Sequence, residues 1–246
     1  MPRFFVKTDQ IKEKEIIIIG EDVKHIKNVL RKQIGDKLEI CNAETGKMYK
    51  CEIKELKEQE IINNIVEETA NIESKIKVDI YQGLPKADKM ELIIQKSIEL
   101  GANAIIPVEM KRCVVKLDSK SESKKIERWQ KIAESAAKQS GRDTVPEIRR
   151  LIRVEDLIKL KDEYDAIILC YENEKENYIK NELIKLKDKQ KLRIAIVIGP
   201  EGGLEEKEVE YLNQNGAKVV TLGNRILRTE TVALNLLSII MYELEH

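Results

Sequence analysis

From residue 76 onward the chain alternates short apolar runs with amphipathic segments, and nothing else in it restricts the fold as strongly. "IKVDIYQGL", "NAIIPVEM", "DAIILCYE", "LRIAIVIG" and "AKVVTLG" read as strands. Between and after them, "KADKMELIIQKSIELG", "SKKIERWQKIAESAAKQSG", "ENYIKNELIKLKD", "EEKEVEYLNQNG" and "TETVALNLLSIIMYELE" carry helical spacing. Strands that alternate with helices imply a parallel sheet covered on both faces. Gly101 and Gly141 stand where a helix's C-terminal cap needs a left-handed residue. The expected class is therefore α/β.

Residues 1–72 follow a different grammar. "EIIIIG" is a short strand bounded by a glycine, and "EDVKHIKNVLRKQIGD" reads as a short helix ending near Gly35. "KLEICNAETGKMYKCEI" forms two strands around an "AETG" turn, and strand-like residues continue through "IINNIVEE". The change of period near residues 71–75 separates a small β-rich domain, 1–72, from an α/β domain, 73–246.

Composition excludes several function classes. The 44 Lys and Arg balance 44 Asp and Glu, so any nucleic-acid binding must come from local patches. Lys/Glu-rich stretches such as "IKEKE" and "KELKEQE" are expected as solvated faces. No apolar stretch approaches the roughly 18 residues of a membrane span. "MPRFFVKTDQ" lacks the apolar core of a signal peptide, so a cytoplasmic protein is expected. Cys41, Cys51, Cys113 and Cys170 are scattered with no CxxC pair, so reduced thiols are expected rather than zinc or disulfides. With only His25 and His246 present, neither a His-based triad nor a His-ligated metal has enough imidazoles. No metal site is expected.

Two loops at the carboxyl ends of the presumed strands stand out, because ligands of parallel α/β sheets sit there. The first is Gly199-Pro200-Glu201-Gly202-Gly203 within "VIGPEGGLEEKEVEYL". A plain tight turn before a helix is one account of it, with Glu205 and Glu206 favourable in the first turn. Three glycines around a proline also let a ligand approach main-chain groups closely. No GK[ST] follows and there is no GxGxxG, and the crowding glutamates would repel an anion, so a phosphate cradle is disfavoured. The second loop runs from "TLG" through Asn224-Arg225-Ile226-Leu227-Arg228 to Thr229-Glu230-Thr231. Thr229 or Thr231 can cap the final helix, and Arg228 can pair with a surface carboxylate. Yet Ile226 and Leu227 between two arginines favour a pocket wall. Main-chain groups, apolar walls and no phosphate motif suit adenine carried on a small or zwitterionic molecule.

"GPEGGL…E", "LGNRILRTETVALNLLS" and "ERWQKIAESAAKQSGRDTVPEI", with "MPRFF" and "HIKNVLRKQIGDKLEI", resemble the RsmE family. These are 16S ribosomal RNA (uracil-N3) methyltransferases of the SPOUT superfamily, and the resemblance spans the whole chain. It departs at Lys138, where an acidic residue is common, and at Cys113, where a serine is. The resemblance implies a C-terminal SPOUT domain with a deep trefoil knot, preceded by a small PUA-like β-barrel that helps to hold RNA. It implies S-adenosylmethionine bound by three loops: Leu169, Cys170 and Tyr171; Ile198, Gly199, Pro200, Glu201, Gly202 and Gly203; and Leu222, Gly223, Asn224, Arg225, Ile226, Leu227 and Arg228. It further implies a homodimer acting on 16S ribosomal RNA of the small ribosomal subunit.

Uracil N3 attacks a methyl group only as its proton leaves, and the charge spreads to the flanking carbonyls. An arginine there stabilises it. Arg228 is the first candidate, and Arg142, of the same chain or of the partner subunit, the second. No general base announces itself; Glu201 has equal claim to a structural role. For RNA, the candidates are Arg3, Lys24, Lys27, Arg31 and Lys32. Residues 1–70 hold 13 Lys and Arg against 14 Asp and Glu, so the domain is not basic overall. Lys24, Lys27 and Arg31 share one face at helical spacing. Phe4 and Phe5 are expected in the barrel interior, and Trp129 in the core or a dimer interface. Three alternatives stand beside this: ribose 2′-O methylation of another RNA, a non-catalytic RNA-binding or ribosome-assembly module, and a dinucleotide-dependent enzyme. The last is remote without GxGxxG.

Overall fold

The computed structural model describes residues 3–71 and 73–245. Met1 and Pro2 of the opening motif, Ile72 at the expected boundary, and His246 lie outside them. The chain divides into two compact units, one of Met1–Glu73 with Ala137–Val145, the other of Ser74–Ala136 with Pro146–His246. A single cut in the sequence does not capture this, because residues 137–145 group with the first unit.

In the first unit, β1 (Arg3–Val6), β2 (Glu15–Ile19), α1 (Glu21–Lys24), β3 (Lys37–Asn42), β4 (Met48–Leu56) and β5 (Glu60–Thr69) follow in order. The strands pair β1-β3-β4-β5-β2, antiparallel except for β1 on β3. Along β4 the pleat sends Cys51 and Ile53 inward and Lys50, Glu52 and Lys54 outward. Phe4 and Val6 from one end strand and Ile16 and Ile18 from the other share one buried cluster with Ile40 and Ile61, so the sheet curls around a single core. The helix after β2 is shorter than the sequence suggests. After one α-helical turn it widens to a π turn at His25–Val29, and Arg31 takes a left-handed backbone, φ 52°. Gly35, φ 91°, belongs to the turn into β3 rather than to the helix end.

The second unit contains β6 (Ile76–Gly83), α2 (Lys89–Glu99), β7 (Ala104–Glu109), most of α3 (Ser119–Ser140), β8 (Glu147–Ile148), β9 (Ile152–Arg153), α4 (Val154–Lys159), β10 (Ala166–Cys170), α5 (Ile179–Ile184), β11 (Leu192–Ile198), α6 (Glu206–Gln214), β12 (Lys218–Val220) and α7 (Thr229–Leu244). Every pairing in the sheet is parallel, in the order β12-β10-β11-β6-β7-β8, with β9 also on β7. Apart from Lys77 and Arg193, β6 and β11 are buried along their lengths, the signature of strands covered on both faces. From β6 the chain steps through β7 to β8, then crosses to the other side to lay down β10, β11 and β12. The strand order thus reverses between β6 and β11, where open α/β sheets place their ligands.

Asp79, fully buried in β6, is the unit's main internal charge. It accepts hydrogen bonds from Asn103 Nδ2 (2.6 Å), Tyr164 Oη (2.8 Å) and Arg193 Nη2 (3.0 Å). Burial and the neighbouring Tyr81 hydroxyl and Asp79 carboxylate push the Tyr164 phenol far up.

The end of the chain is tied twice. Asn177 O accepts from Thr221 N–H (2.9 Å), and Thr221 O from Ile179 N–H (3.2 Å). Eight residues later, Thr229 Oγ1 donates to Gly199 O (2.7 Å). The last segment is thus fastened beside the start of α5 and, at Thr229, to the tip of β11.

Candidate functional site

At the carboxyl ends of β10, β11 and β12, three loops and the start of α7 enclose a cavity of about 780 Å³. Its walls are Cys170, Tyr171, Glu172, Glu174 and Lys175 after β10, Ile198 to Leu204 after β11, and Val220 to Arg228 after β12. Thr229 and Val232 of α7 and Lys89 of α2 complete it. Small-molecule sites have volumes of roughly 300–1,000 Å³.

The glycine-rich turn folds for reasons of its own. Gly203 takes φ 69° and donates its N–H to Pro200 O at 2.9 Å. A Cβ on Gly199 would stand 3.0 Å from the Gly203 carbonyl carbon and 3.2 Å from Leu204 N. One on Gly202 would stand 3.1 Å from Arg112 Cβ, and that arginine's Nη1 donates to Gly202 O at 3.0 Å. One on Gly203 would strike the Glu172 carboxylate. Protein atoms packed on these three glycines are thus one reason for their presence, beside the close approach of a ligand that the sequence suggested. Gly223 differs, since it takes φ 111° and a Cβ there would meet nothing within 4 Å.

Main-chain donors remain for a ligand on the second loop. Among the described residues, no protein partner serves the N–H groups of Leu222 and Leu227, both half-buried on the cavity wall. Ile226 is 84% exposed, so it forms the rim and not the enclosed wall that its apolar character suggested. The helix cap also falls elsewhere than expected. Arg228 holds the N-cap position, and the Thr229 hydroxyl serves Gly199 instead. That hydroxyl accepts from Gln82 Nε2 (2.8 Å), a fully buried side chain on β6.

Charge surrounds the cavity. Glu201 accepts from Lys86 N–H at 3.0 and 3.2 Å and pairs with Lys89 Nζ at 3.1 Å. Burial alone would raise its pKa, but main-chain N–H groups and the Lys89 ammonium hold it below the usual carboxylate value. That makes Glu201 a poor proton acceptor and supports leaving it unassigned as a base. Burial pushes the Cys170 thiol up to about 12, so the cavity's cysteine is neutral.

All named residues of the three loops line the cavity except Leu169, which is fully buried in β10. Arg228 is exposed at its edge. Arg142 lies in the first unit, where its guanidinium forks onto Glu73 at 2.6 to 3.0 Å. The RNA candidates fare unevenly. Arg3 is engaged with Glu39, Asp143 and Gly141 O, its side chain only 13% exposed, so it is a structural ion-pair residue. Lys24 and Arg31 are exposed, but the π turn and the left-handed Arg31 break the 3.6-residue face on which Lys24, Lys27 and Arg31 were to align. Lys27 Nζ reaches Lys57 O (3.1 Å), and Lys32 is half-buried. Phe4 and Trp129 are buried, as expected, while Phe5 is half-buried. Sequence reasoning missed Lys89, Gln82 and Glu172. A lone lysine on an amphipathic helix and a glutamine in an apolar strand give no motif. Only the polar residue inside "DIYQGL" hinted at a buried partner. Among the described residues no cluster could hold a metal ion, and no helix is long and apolar enough to cross a membrane.

The profile of the "RNA methyltransferase domain" family matches residues 72–241, and that of the "RNA methyltransferase PUA domain" matches 18–64. Ribosomal RNA small subunit methyltransferase E of Bacillus subtilis (strain 168) is 42% identical over 252 aligned residues, covering 100% of this chain and 98% of the relative. The chain belongs to the ribosomal RNA small subunit methyltransferase E family. Among solved structures, this family member resembles the Neisseria gonorrhoeae small subunit methyltransferase E bound to S-adenosyl methionine, with TM-score 0.82 and 29% identity over 99% of this chain and 98% of that one. It also resembles a Legionella pneumophila methyltransferase described as in complex with the bound cofactor, with TM-score 0.84 and 27% identity over 98% and 96%. The parallel α/β domain and the PUA-like domain that the resemblance implied are both present.

Proposed function

We propose that the chain transfers a methyl group from S-adenosylmethionine to N3 of a uridine in 16S ribosomal RNA. The supporting observation is the cavity at the carboxyl ends of β10, β11 and β12, with main-chain walls from three loops, in a chain of this family. Its donor set fits the cofactor. Ile198, Leu204, Val220, Leu222 and Val232 offer an apolar slot for adenine, with the free N–H groups of Leu222 and Leu227 beside it. Glu172, Glu174, Arg225 and Arg228 bring both charges that a zwitterionic aminoacyl group requires.

Bound there, the cofactor supplies an electrophilic methyl on a sulfonium, so no metal or covalent intermediate is needed. The chain's own residues align and stabilise. The turn Gly199–Gly203 and the loop Leu222–Arg228 fix the donor's orientation, which is the larger part of catalysis for a direct displacement. Arg228, exposed at the rim, stabilises the negative charge that appears on the uracil carbonyls as N3 loses its proton. Glu201, held ionised by Lys86 and Lys89, shapes the turn. Exposed Lys24 and Arg31 of the first unit meet RNA phosphates. We further read the active form as a cytoplasmic homodimer whose substrate is the small ribosomal subunit.

The test is incubation with labelled S-adenosylmethionine and small subunits lacking the modification, followed by mapping of the methylated nucleotide. Label on uracil N3 is expected. Label on a ribose oxygen would reject N3 chemistry, and cofactor binding without transfer would favour an assembly factor.

A further inference from the structure

We infer that Lys89 is a positioning residue of the cofactor cavity, clasping the glycine turn to the first turn of α7. The inference rests on the cavity's being the S-adenosylmethionine site.

Lys89 opens α2, and its Nζ lies 3.1 Å from Glu201 Oε1 and 3.3 Å from Glu230 Oε2. Three separate elements thereby meet at one ammonium: the start of α2, the turn after β11 and the start of α7. The side chains are 31%, 24% and 16% exposed respectively, so none is freely solvated. An isolated surface pair contributes little. This lysine, however, separates two like charges that would otherwise face each other across a partly dry mouth, and like charges disfavour each other there. Lys86 N–H fixes Glu201 from a second direction.

The clasp matters because of what lies inside it. Thr229 Oγ1 holds Gly199 O at 2.7 Å, so α7 is fastened to the turn at a buried point as well. Neighbouring residues, Thr229 and Glu230, thus grip the turn at its entry and, through Lys89, at its middle. The loop Leu222–Arg228 is stretched between this double fastening and the main-chain bonds of Thr221 to Asn177 and Ile179. With a neutral side chain at position 89, Glu201 and Glu230 repel. The turn then moves away from α7, and the half-buried N–H groups of Leu222 and Leu227 lose their places. A cofactor binding such a chain must first restore the closed arrangement, and its apparent affinity falls by the fraction of molecules that are closed.

The experiment measures S-adenosylmethionine binding by calorimetry on the full chain, with KM and kcat for methyl transfer, in wild type, Lys89→Met, Lys89→Arg, Glu230→Gln and the double variant Lys89→Met/Glu230→Gln. Lys89→Met is expected to weaken binding about tenfold, and Lys89→Arg to stay within about threefold of wild type. The double variant is expected to lose less than the product of the two single losses, because the two residues share one interaction. KM for the cofactor rises while kcat at saturation holds, a split that general destabilisation does not produce. Unchanged affinity in Lys89→Met overturns the inference and leaves the functional reading intact. Reduced kcat with unchanged cofactor affinity overturns it too, since the lysine would then act on the acceptor. If Lys89→Met does not fold, Glu230→Gln decides, and unchanged affinity there overturns it. A wild-type chain that fails to bind the cofactor overturns the functional reading and this inference together.

Discussion

The hydroxyl of Thr229 donates to the carbonyl of Gly199 at 2.7 Å, joining the first residue of the last helix to the tip of the strand that carries the glycine turn. The same hydroxyl accepts from buried Gln82 Nε2 at 2.8 Å, so it completes a relay across β6, β11 and α7. Removing it leaves a buried amide donor short of a partner. Thr229→Ala is therefore expected to cost about 1–3 kcal/mol in denaturant unfolding and to weaken cofactor binding. Thr229→Ser keeps the hydroxyl and is expected to retain both. Equal stability of Thr229→Ala and wild type would show that the relay is incidental.

Gly203 is the turn position least able to accept a side chain. Its φ of 69° costs an alanine about 1–2 kcal/mol, and the Glu172 carboxylate must move aside as well. Gly203→Ala is expected to lower cofactor affinity. Gly203→Ala is also expected to lose stability, and Gly203→Ala/Glu172→Ala to recover part of that stability relative to Glu172→Ala, since only the backbone strain then remains. Urea titrations of the three variants separate the contributions.

Asp79 ties β6 to Asn103, Tyr164 and Arg193, with its own side chain fully buried. Breaking a buried charged pair by neutralising one partner costs about 3–5 kcal/mol, because the other charge is left uncompensated. Arg193 is partly solvated, 31% exposed, so Asp79→Asn is expected near the lower end of that range in a urea titration. A loss indistinguishable from zero would mean that Arg193 simply turns to solvent.

Alkaline pH should unfold the protein for a reason lodged in its thiols. Burial pushes Cys41, Cys51 and Cys170 up to about 12, from an ordinary value of 9.0. The folded state thus keeps protons that the unfolded chain gives up. The associated stability is complete below about 9 and is lost as pH rises toward about 12. Unfolding free energy is expected to fall across that window, less steeply in Cys51→Ala. A flat profile between the two values would contradict the burial argument.

Much of the fold was legible because its signals are local and periodic. The uninterrupted apolar runs of β6 and β11 and the caps at Gly101 and Gly141 follow directly from strand burial and helix termination, and Gly141 does take φ 70°. The lost elements are short. β8 and β9 have two residues each, too few for any period to emerge. The helix after β2 misled because the chain widens to a π turn at His25–Val29, which residue spacing does not announce. At the site, glycine and arginine motifs marked the right loops, but the reason offered for the glycines was incomplete. Arg112 and Glu172 pack against Gly202 and Gly203 from distant segments, and no spacing within one loop announces such neighbours. The Lys89 clasp was invisible for the same reason, its partners lying more than a hundred residues away.

A crystal structure of the chain soaked with S-adenosylmethionine asks the central question directly. The adenosine is expected between Ile198–Gly203 and Leu222–Arg228, with the Leu222 and Leu227 N–H groups hydrogen-bonded to it and the methyl directed toward the rim at Arg228. Density for the cofactor anywhere else, or a cavity closed by the side chains of those two loops, would contradict the account.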